Sequence, residues 1–199
     1  MPQLQQGLIQ VYTGDSKGKT TAAFGLALRA SGHGLMVGVV QFMKGSGYYG
    51  EVMAAQRLRP NLEVYQYGRV CHREPLLRQG DALCNSCGSC FVIPGQATPE
   101  DIEAAKMAWE RGKAMIASGT KDVVILDELL NAVSDKFNLV DAAEVVDFLE
   151  HQKPGHVEVV LTGRNAPAEI VAIADLVTEM KMVKHPYQRG VPARFGIEY

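Results

Sequence analysis

A glycine-rich segment near the N-terminus has the residue types of a phosphate-binding loop. The stretch TGDSKGKTT covers residues 13–21 and directly follows the apolar run GLIQVY. Small residues let backbone N–H groups turn towards an anion, and a helix that begins after them adds its positive end. Lys19 is then placed to contact phosphate oxygens, and the Thr20 hydroxyl is placed to bind Mg²⁺. The predicted nucleotide-binding residues are Gly14, Asp15, Ser16, Lys17, Gly18, Lys19, Thr20 and Thr21.

The spacing of this loop departs from the usual pattern G-x-x-x-x-G-K-[ST]. Counting back from Gly18, that pattern requires glycine at position 13, where the chain has Thr13. Gly14 leaves only three intervening residues. The alternative interpretation is a glycine-rich turn between a strand and a helix, but the order strand, loop, helix favours nucleotide binding.

Two further segments place polar groups at the ends of predicted strands. Asp127 and Glu128 follow the apolar run VVIL, and Arg164 lies in LTGRNAP. Ligands of parallel sheets bind outside the carboxyl ends of the strands, so the two acids are predicted to bind Mg²⁺ together with Thr20. Arg164 suits bidentate contacts with phosphate or a ribose oxygen. The alternatives are two solvated acids that begin a helix and a surface arginine.

All four cysteines of the chain lie within one short segment. Cys84, Cys87 and Cys90 form C-x-x-C-x-x-C, and Cys71 precedes them beside His72. Four thiolates suit either a tetrahedral zinc ion or a [4Fe–4S] cluster. The tight triplet with one remote cysteine favours iron–sulfur, whereas structural zinc sites more often pair two C-x-x-C units. Four reduced free thiols are the alternative.

The elements that must position these groups alternate between strand and helix. Strands are predicted at 8–13, 36–42, 62–67, 122–128, 157–163 and 176–183, and helices at 20–31, about 99–117, 139–151 and 167–175. This alternation predicts an α/β, P-loop NTPase-like fold with a mostly parallel sheet and helices on both faces. A single domain is expected over residues 1–199, with a cysteine-rich inserted loop at about 68–97.

Composition and charge exclude several classes of partner. The net charge is −2, and the chain has no run of Lys or Arg typical of a nucleic-acid or membrane surface. The apolar runs are too short to span a bilayer, and the first residues lack the features of a signal peptide. We therefore expect a cytoplasmic protein that binds neither nucleic acid nor membrane.

Taken together, the ordered segments resemble the P-loop-type ATP:corrinoid adenosyltransferases of cobalamin biosynthesis. The resemblance covers nearly the whole chain except residues 68–97. It rests on VYTGDSKGKTTAAFGLALRASGHG, VQFMKG followed by Gly50-Glu51, VVILDEL, LTGRNAP, ADLVTEM and VKHPYQRGVPARFGIEY. The shortened loop that begins at Gly14 is the form found in this family.

The resemblance implies a transferase that is not a γ-phosphate hydrolase. A corrinoid reduced to cobalt(I) attacks the 5′-carbon of ATP and releases triphosphate, which the family holds in a reversed sense along its loop. Lys19, Thr20 and Glu128 would be catalytic, with Thr20 and Glu128 on Mg²⁺ and Asp127 close by. Arg164 would contact the nucleotide. The corrinoid would lie near three further residues, Gln41, Lys44 and His185.

The resemblance also implies a homodimer and an electron donor such as a flavoprotein. Two departures from the family stand out. Fewer residues precede Gly14 than in some relatives, so closure over the corrinoid is expected to differ. Bulky aromatic residues that relatives carry after the third strand are replaced by Arg69-Val70-Cys71-His72 and the insert. The source of cobalt(I) is therefore left open.

Two other functions stay open on the residues alone. One is a P-loop ATPase or kinase that acts on the γ-phosphate, although the sequence offers no clear residue to orient water or an acceptor. The other is an ATP-binding metal or redox sensor, for which the cysteine insert is the argument.

Overall fold

The computed structural model describes residues 4–82, 84 and 87–199. Its centre is a six-stranded sheet in which every neighbouring pair of strands is parallel. The strands are β1 Ile9–Thr13, β2 Val37–Phe42, β3 Leu62–Tyr67, β4 Val123–Asp127, β5 Glu158–Thr162 and β6 Leu176–Glu179. Their order across the sheet is β3-β2-β4-β5-β1-β6. The predicted α/β class with a parallel sheet is confirmed.

Helices cover both faces of this sheet. They are α1 Lys19–Gly32, α2 Gly50–Arg57, α3 Glu74–Gln79, α4 Pro99–Ala117, α5 Leu129–Val133, α6 Ala142–His151 and α7 Ala168–Ile173, followed by a 3₁₀ turn at Pro186–Arg189. Alternate strand residues belong to different cores, as a side-chain period of two requires. Val39 and Ile125 pack with α1 and α2, whereas Val40 and Leu126 pack with α4 to α7.

The ends of the longest helix follow from local chemistry. Thr98 and Asp101 form a capping box at the start of α4, in which each side chain accepts a hydrogen bond from the other residue's backbone N–H. Pro99 occupies the first helical position, where a backbone N–H would have no partner within the helix, so its absence costs no hydrogen bond. This helix packs against β2, β3 and β4 and so fixes the half of the sheet that carries Asp127.

Some element predictions need correction. The last strand was expected to reach residue 183 but ends at Glu179, and its four residues are exposed because β6 is an edge strand. The sequence pattern also missed α2, α3 and α5, which are only five to eight residues long. The predicted insert at 68–97 contains α3; its residues 83, 85 and 86 lie outside the described residues.

Within residues 4–82, 84 and 87–199, no helix is both long enough and apolar enough to cross a bilayer.

Candidate active site

A cavity of about 1030 Å³ opens at the carboxyl edge of the sheet. Its walls come from the ends of β1, β2, β4 and β5 and from the C-terminal segment. The predicted site residues that line it are Asp15, Ser16, Lys17, Gly18, Lys19, Thr20, Thr21, Lys44, Glu128, Arg164 and His185. The structure therefore brings the three predicted strand-end segments together around one space.

Two glycines give the loop after β1 its shape. Gly14 has φ of 101° and Gly18 has φ of 119°, a region in which only glycine is unstrained. A Cβ on Gly14 would also lie 2.4 Å from the carbonyl oxygen of Met180. The Ser16 N–H donates to that same carbonyl at 3.2 Å. Met180, the residue that follows β6, therefore packs against the loop and accepts one of its backbone hydrogen bonds.

Lys19 lies inside the curl of this loop. The residue is only 7% exposed, and its Nζ donates to the carbonyl oxygens of Gly14 and Ser16, both at 2.7 Å. Burial lowers the pKa of Lys19, and the nearby acids only partly oppose this effect. The ammonium group is therefore held at the mouth of the predicted phosphate site.

Asp127 ends β4 as a fully buried carboxylate with four hydrogen-bond donors. Its Oδ1 accepts from the hydroxyls of Thr20 at 2.9 Å and Thr162 at 2.7 Å. Its Oδ2 accepts from Gln41 Nε2 at 3.0 Å and Lys44 Nζ at 2.8 Å. Burial would raise the pKa of Asp127, but the charge of Lys44 and these hydrogen bonds outweigh it and hold the pKa below its usual range. The carboxylate is ionised and fixed in place.

Glu128 follows Asp127 and points into the cavity from a strained backbone. Its φ of 65° is rare for a residue with a side chain, and such strain is typical of functional sites. The Thr162 hydroxyl accepts from the Glu128 N–H at 3.0 Å, and Asn131 Nδ2 donates to Oε2 at 2.6 Å. Burial and the charge of Asp127 raise the pKa of Glu128, although Lys44 opposes them.

The donor set around these acids fits Mg²⁺. Thr20 supplies a hydroxyl oxygen, and Asp127 and Glu128 supply carboxylate oxygens, the hard ligands that Mg²⁺ takes together with phosphates and water. Thr20 also touches Asp127 directly, which places all three groups in one cluster. The predicted Mg²⁺ ligands therefore lie together beside the loop.

The C-terminal segment closes one side of the cavity. Lys17 Nζ lies 2.9 Å from Glu198 Oε1 and 3.3 Å from the carbonyl oxygen of Ile197. Arg194 holds the other side of Glu198 through its backbone N–H at 2.7 Å and its guanidinium. The loop and the tail that flank the site are thus joined by charged groups.

Comparison with known proteins decides the family. The model of the family described as ATP:corrinoid adenosyltransferase BtuR/CobO/CobP matches residues 5–199. This chain belongs to that family. It is 39% identical to a corrinoid adenosyltransferase of Sinorhizobium sp. over 98% of this chain and 81% of the relative. It is 38% identical to the corrinoid adenosyltransferase CobA of Salmonella typhimurium over 99% and 88%. The corrinoid adenosyltransferase of Escherichia coli K12 is 37% identical over 98% and 87%.

The family resemblance that the motifs predicted is confirmed.

Three further predicted residues, Arg164, His185 and Gln41, differ in how they relate to the cavity. Arg164 is exposed at the cavity, and its backbone N–H donates to Asn131 Oδ1 at 2.6 Å. His185 lines the cavity and caps the 3₁₀ turn by accepting from the Tyr187 N–H at 3.1 Å. Gln41 is fully buried, donates a hydrogen bond to Asp127 and accepts one from Gln66. It therefore helps to hold the Asp127 carboxylate in place. Gln41 is not among the described residues that line the cavity, and its nearness to the corrinoid stays a prediction.

The four cysteines line a second, smaller cavity of about 200 Å³. Cys71 is buried, Cys84 and Cys90 are partly buried and Cys87 is exposed. Burial raises the pKa of the Cys90 thiol, whereas a hydrogen bond with Ser89 lowers the pKa of Cys87. Among the residues that the structure describes, no group of three or more His, Cys, Asp or Glu side chains is arranged to hold a metal ion. The four cysteines line one cavity, but their side chains are not arranged as ligands around a common metal position.

The two cavities share a wall. Tyr49, Phe91, Glu198 and Tyr199 line both of them. The hydroxyl of Tyr199 accepts a hydrogen bond from the Cys84 N–H at 3.1 Å. The cysteine insert therefore lies at the active-site edge of the sheet. It contributes one aromatic side chain, that of Phe91, to the wall of the main cavity.

Sequence reasoning missed two residues that shape the site, Thr162 and Asn131. Both bond the predicted Mg²⁺ ligands. Asn131 lies in α5, a helix that the sequence pattern missed, so no helical spacing pointed to it. Thr162 gave only the weak signal of a polar residue at the end of a buried strand.

Proposed function

We propose that this protein transfers the 5′-deoxyadenosyl group of ATP to the cobalt(I) of a corrinoid and releases triphosphate, in the synthesis or salvage of adenosylcobalamin. Family membership over residues 5–199 supports this reaction. The observation that carries it is the meeting of the phosphate loop and the acid pair at a cavity of about 1030 Å³, a volume above the usual range for small-molecule sites and suited to two large substrates.

The reaction is a displacement at carbon. The cobalt(I) of the substrate donates an electron pair to the 5′-carbon of the ribose, and a cobalt–carbon bond forms. The bond from that carbon to the triphosphate oxygen breaks, and triphosphate leaves with the bonding pair. Cobalt(I) is already a strong nucleophile, so the protein needs no general base and contributes position and electrostatics.

The residues around the loop are proposed to hold the leaving group. Lys19, Lys17 and the loop amides lie where negative charge accumulates on the departing triphosphate. Thr20, Glu128 and Asp127 would hold Mg²⁺, which neutralises phosphate charge when bound. Arg164 is exposed at the cavity after β5 and would contact a phosphate or ribose oxygen.

The corrinoid is proposed to occupy the part of the cavity beyond the nucleotide. His185 and Tyr187 line this space, as do Tyr49 and Phe91, and Lys44 lines the cavity where it borders the acid pair. Phe91 is 57% exposed, so its ring is available to a ligand. We propose that Phe91 serves here as the aromatic group that relatives carry after the third strand, where it can crowd the lower axial face of cobalt and ease its reduction.

Further proposals concern the surroundings of the enzyme. Family likeness suggests a homodimer, an electron donor such as a flavoprotein and a cytoplasmic location. One domain over residues 1–199 is supported by the single sheet that joins β1 to β6. The cysteine-rich insert belongs to the same domain in this proposal, since an ion pair of 2.6 Å joins the Arg69 guanidinium to the Asp101 carboxylate of α4.

We also propose that Cys71, Cys84, Cys87 and Cys90 bind one thiophilic metal centre, zinc or a [4Fe–4S] cluster. The support is that all four thiols line the same cavity of about 200 Å³. Because they are not arranged as ligands in this structure, metal binding would have to draw the exposed Cys87 inwards. Zinc would only fold the loop, whereas an iron–sulfur cluster could also carry an electron.

Product analysis tests the proposed function against its alternatives. With Mg-ATP and chemically reduced corrinoid, triphosphate should appear in step with the adenosylated product, which is followed by its absorbance. ATP alone should be hydrolysed slowly at most. Fast release of ADP and phosphate without corrinoid would favour the ATPase or kinase, and ATP binding without any product would favour the sensor.

A further inference from the structure

Lys44 lies among the three side chains that are proposed to bind Mg²⁺. Its Nζ is 2.8 Å from Asp127 Oδ2 and 3.7 Å from Glu128 Oε1. It also donates to the Thr20 hydroxyl at 3.3 Å. One ammonium group therefore reaches all three of the side chains that are proposed to bind Mg²⁺.

Two features explain why a cation belongs at this position. Asp127 is fully buried and Glu128 is only 21% exposed on its side chain, so two adjacent carboxylates lie largely out of water. Buried charges are strongly unfavourable unless they are paired. The ammonium of Lys44 supplies that pairing here.

Lys44 is also able to leave. It stands in the loop after β2, lines the main cavity and keeps 19% of its side chain exposed. A lysine ammonium is a point charge on a flexible four-carbon stem and is not locked in place by a planar fork. Rotation of this stem would move the ammonium away from the acids towards the cavity that Lys44 lines.

We propose that Lys44 is the resident counter-cation of the Mg²⁺ site and is exchanged for the divalent cation when Mg-ATP binds. Two cations cannot share the same three ligands, because their repulsion at this distance is large. The triphosphate brings the negative charge that receives the displaced ammonium. The protein then binds a divalent cation poorly by itself and well together with ATP. This inference rests on the proposed Mg²⁺ ligands, but not on the transfer to a corrinoid.

The test measures binding of Mn²⁺, as a paramagnetic substitute for Mg²⁺, by electron paramagnetic resonance, with no corrinoid present. Wild-type protein should bind Mn²⁺ weakly alone and more tightly with ATP. Lys44→Met keeps most of the stem and removes the charge, so it should bind Mn²⁺ alone at least about tenfold more tightly than wild type. The advantage that ATP gives to Mn²⁺ binding should shrink by the same factor.

Lys136→Met is the matched control. Lys136 lines the same cavity and is exposed, so this variant makes the same change in total charge away from the three ligands. It should bind Mn²⁺ as wild type does. Equal Mn²⁺ affinity of wild type and Lys44→Met would overturn the proposal, as would an equal gain in Lys136→Met.

Lys44→Arg keeps the proposal testable if Lys44→Met does not fold. Its guanidinium should still neutralise the acids, so Mn²⁺ binding alone should stay weak. A bidentate fork leaves a carboxylate less readily, so binding of Mn²⁺ with ATP should weaken by about threefold or more. Wild-type affinity of Lys44→Arg for Mn²⁺ with ATP would overturn the exchange. If wild-type protein binds no Mn²⁺ even with ATP, the proposed Mg²⁺ ligands fail as well, whereas loss of adenosylation alone contradicts only the proposed reaction.

Discussion

Glu198, the penultimate residue, lies 2.9 Å from the ammonium of Lys17 in the phosphate-binding loop. The same carboxylate accepts from the Arg194 backbone N–H at 2.7 Å. The C-terminal segment is thereby joined to the ATP loop through Lys17, which also donates to the Ile197 carbonyl. Protonation of Glu198 would remove this ion pair, whereas Tyr199 is held separately by its buried ring and by the Cys84 N–H.

The first prediction concerns the pH range in which this contact persists. Hydrogen bonds from Arg194 and then Lys17 lower the pKa of Glu198 to about 2. A depressed carboxyl pKa means that the contact is present above the ordinary glutamate range and is lost only as the pH falls towards the lowered value. The amide signal of Arg194 in NMR spectra should therefore titrate well below the ordinary glutamate range.

Arg194→Gln gives the control for this titration, since it removes the first of those hydrogen bonds from the side chain. The midpoint seen at Glu198 should rise in this variant. A wild-type midpoint in the ordinary glutamate range would show that the contacts of Glu198 with Arg194 and Lys17 do not persist in solution.

The second prediction concerns the shape of the loop. Gly14→Ala places a Cβ at 2.4 Å from the Met180 carbonyl and at φ of 101°, so the loop must shift. ATP affinity should fall by about tenfold or more, since a strain of this kind costs on the order of 1–3 kcal/mol. Calorimetric titration with Mg-ATP measures it.

Gly25→Ala is the matched control for Gly14→Ala. Gly25 lies in α1, and a Cβ there would meet no atom within 4 Å. The same substitution should leave ATP affinity unchanged and stabilise the protein by about 0.5–1 kcal/mol, since alanine is a better helix residue. Equal effects of the two variants on ATP binding would argue against a tight loop at Gly14.

The third prediction concerns Thr162, whose hydroxyl bonds both acids. It donates to Asp127 Oδ1 at 2.7 Å and accepts from the Glu128 N–H at 3.0 Å. Thr162→Val leaves the buried Asp127 carboxylate and the partly buried Glu128 N–H without this partner. Such a loss typically costs about 1–3 kcal/mol of unfolding free energy. Thr162→Ser keeps the hydroxyl and should lose less than Thr162→Val in a denaturant titration. If Thr162→Val loses no more stability than Thr162→Ser, the two hydrogen bonds of the hydroxyl do not provide the predicted stabilisation.

The fourth prediction concerns the cation inside the loop. Lys19→Ala should lower turnover by about 10² or more, the scale seen when one preorganised donor to a transition state is removed. Lys17→Ala removes the same charge two positions earlier. Because the Lys17 ammonium is paired with Glu198, this variant should lose less turnover than Lys19→Ala. Steady-state adenosylation with pre-reduced corrinoid measures both. Near-normal turnover of Lys19→Ala would remove Lys19 from the mechanism.

The loop and its acids could be predicted from sequence because their signals are local. Glycines, a lysine and a threonine within eight residues, and two acids at the end of an apolar run, need only strand and helix assignments to be interpreted. The α/β alternation gave those assignments for the long elements. Short helices such as α3 and α5 contain too few residues for a periodic pattern to emerge.

The supporting groups could not be predicted because they depend on strand register. Thr162 meets Asp127 only because Leu126 and Leu161 are paired across β4 and β5. Gln41 is buried behind Asp127 because those two residues are paired across β2 and β4. A shift of one position would turn each side chain to the other face of the sheet. The position of the Lys44 ammonium is likewise a tertiary result that spacing does not encode.

The last prediction concerns the cysteine insert, whose proposed metal centre lies beside the active site. Cys87→Ser should lose the metal, since the remaining three thiols cannot complete a four-thiolate site. Ser89→Ala is the matched control, because Ser89 lies 3.3 Å from the Cys87 sulfur but is not a proposed ligand, so this variant should keep the metal. Metal per chain after anaerobic purification measures both.

Activity then separates the two roles of this metal. Tyr49 and Tyr199 belong to the shared wall, so a purely structural metal should support the active site, and Cys87→Ser should be slower even with pre-reduced corrinoid. A metal that delivers electrons should leave that activity largely intact and abolish activity that starts from cobalt(II). Less than about one-tenth of a metal per wild-type chain, together with normal activity after all four cysteines are replaced, would eliminate the metal centre.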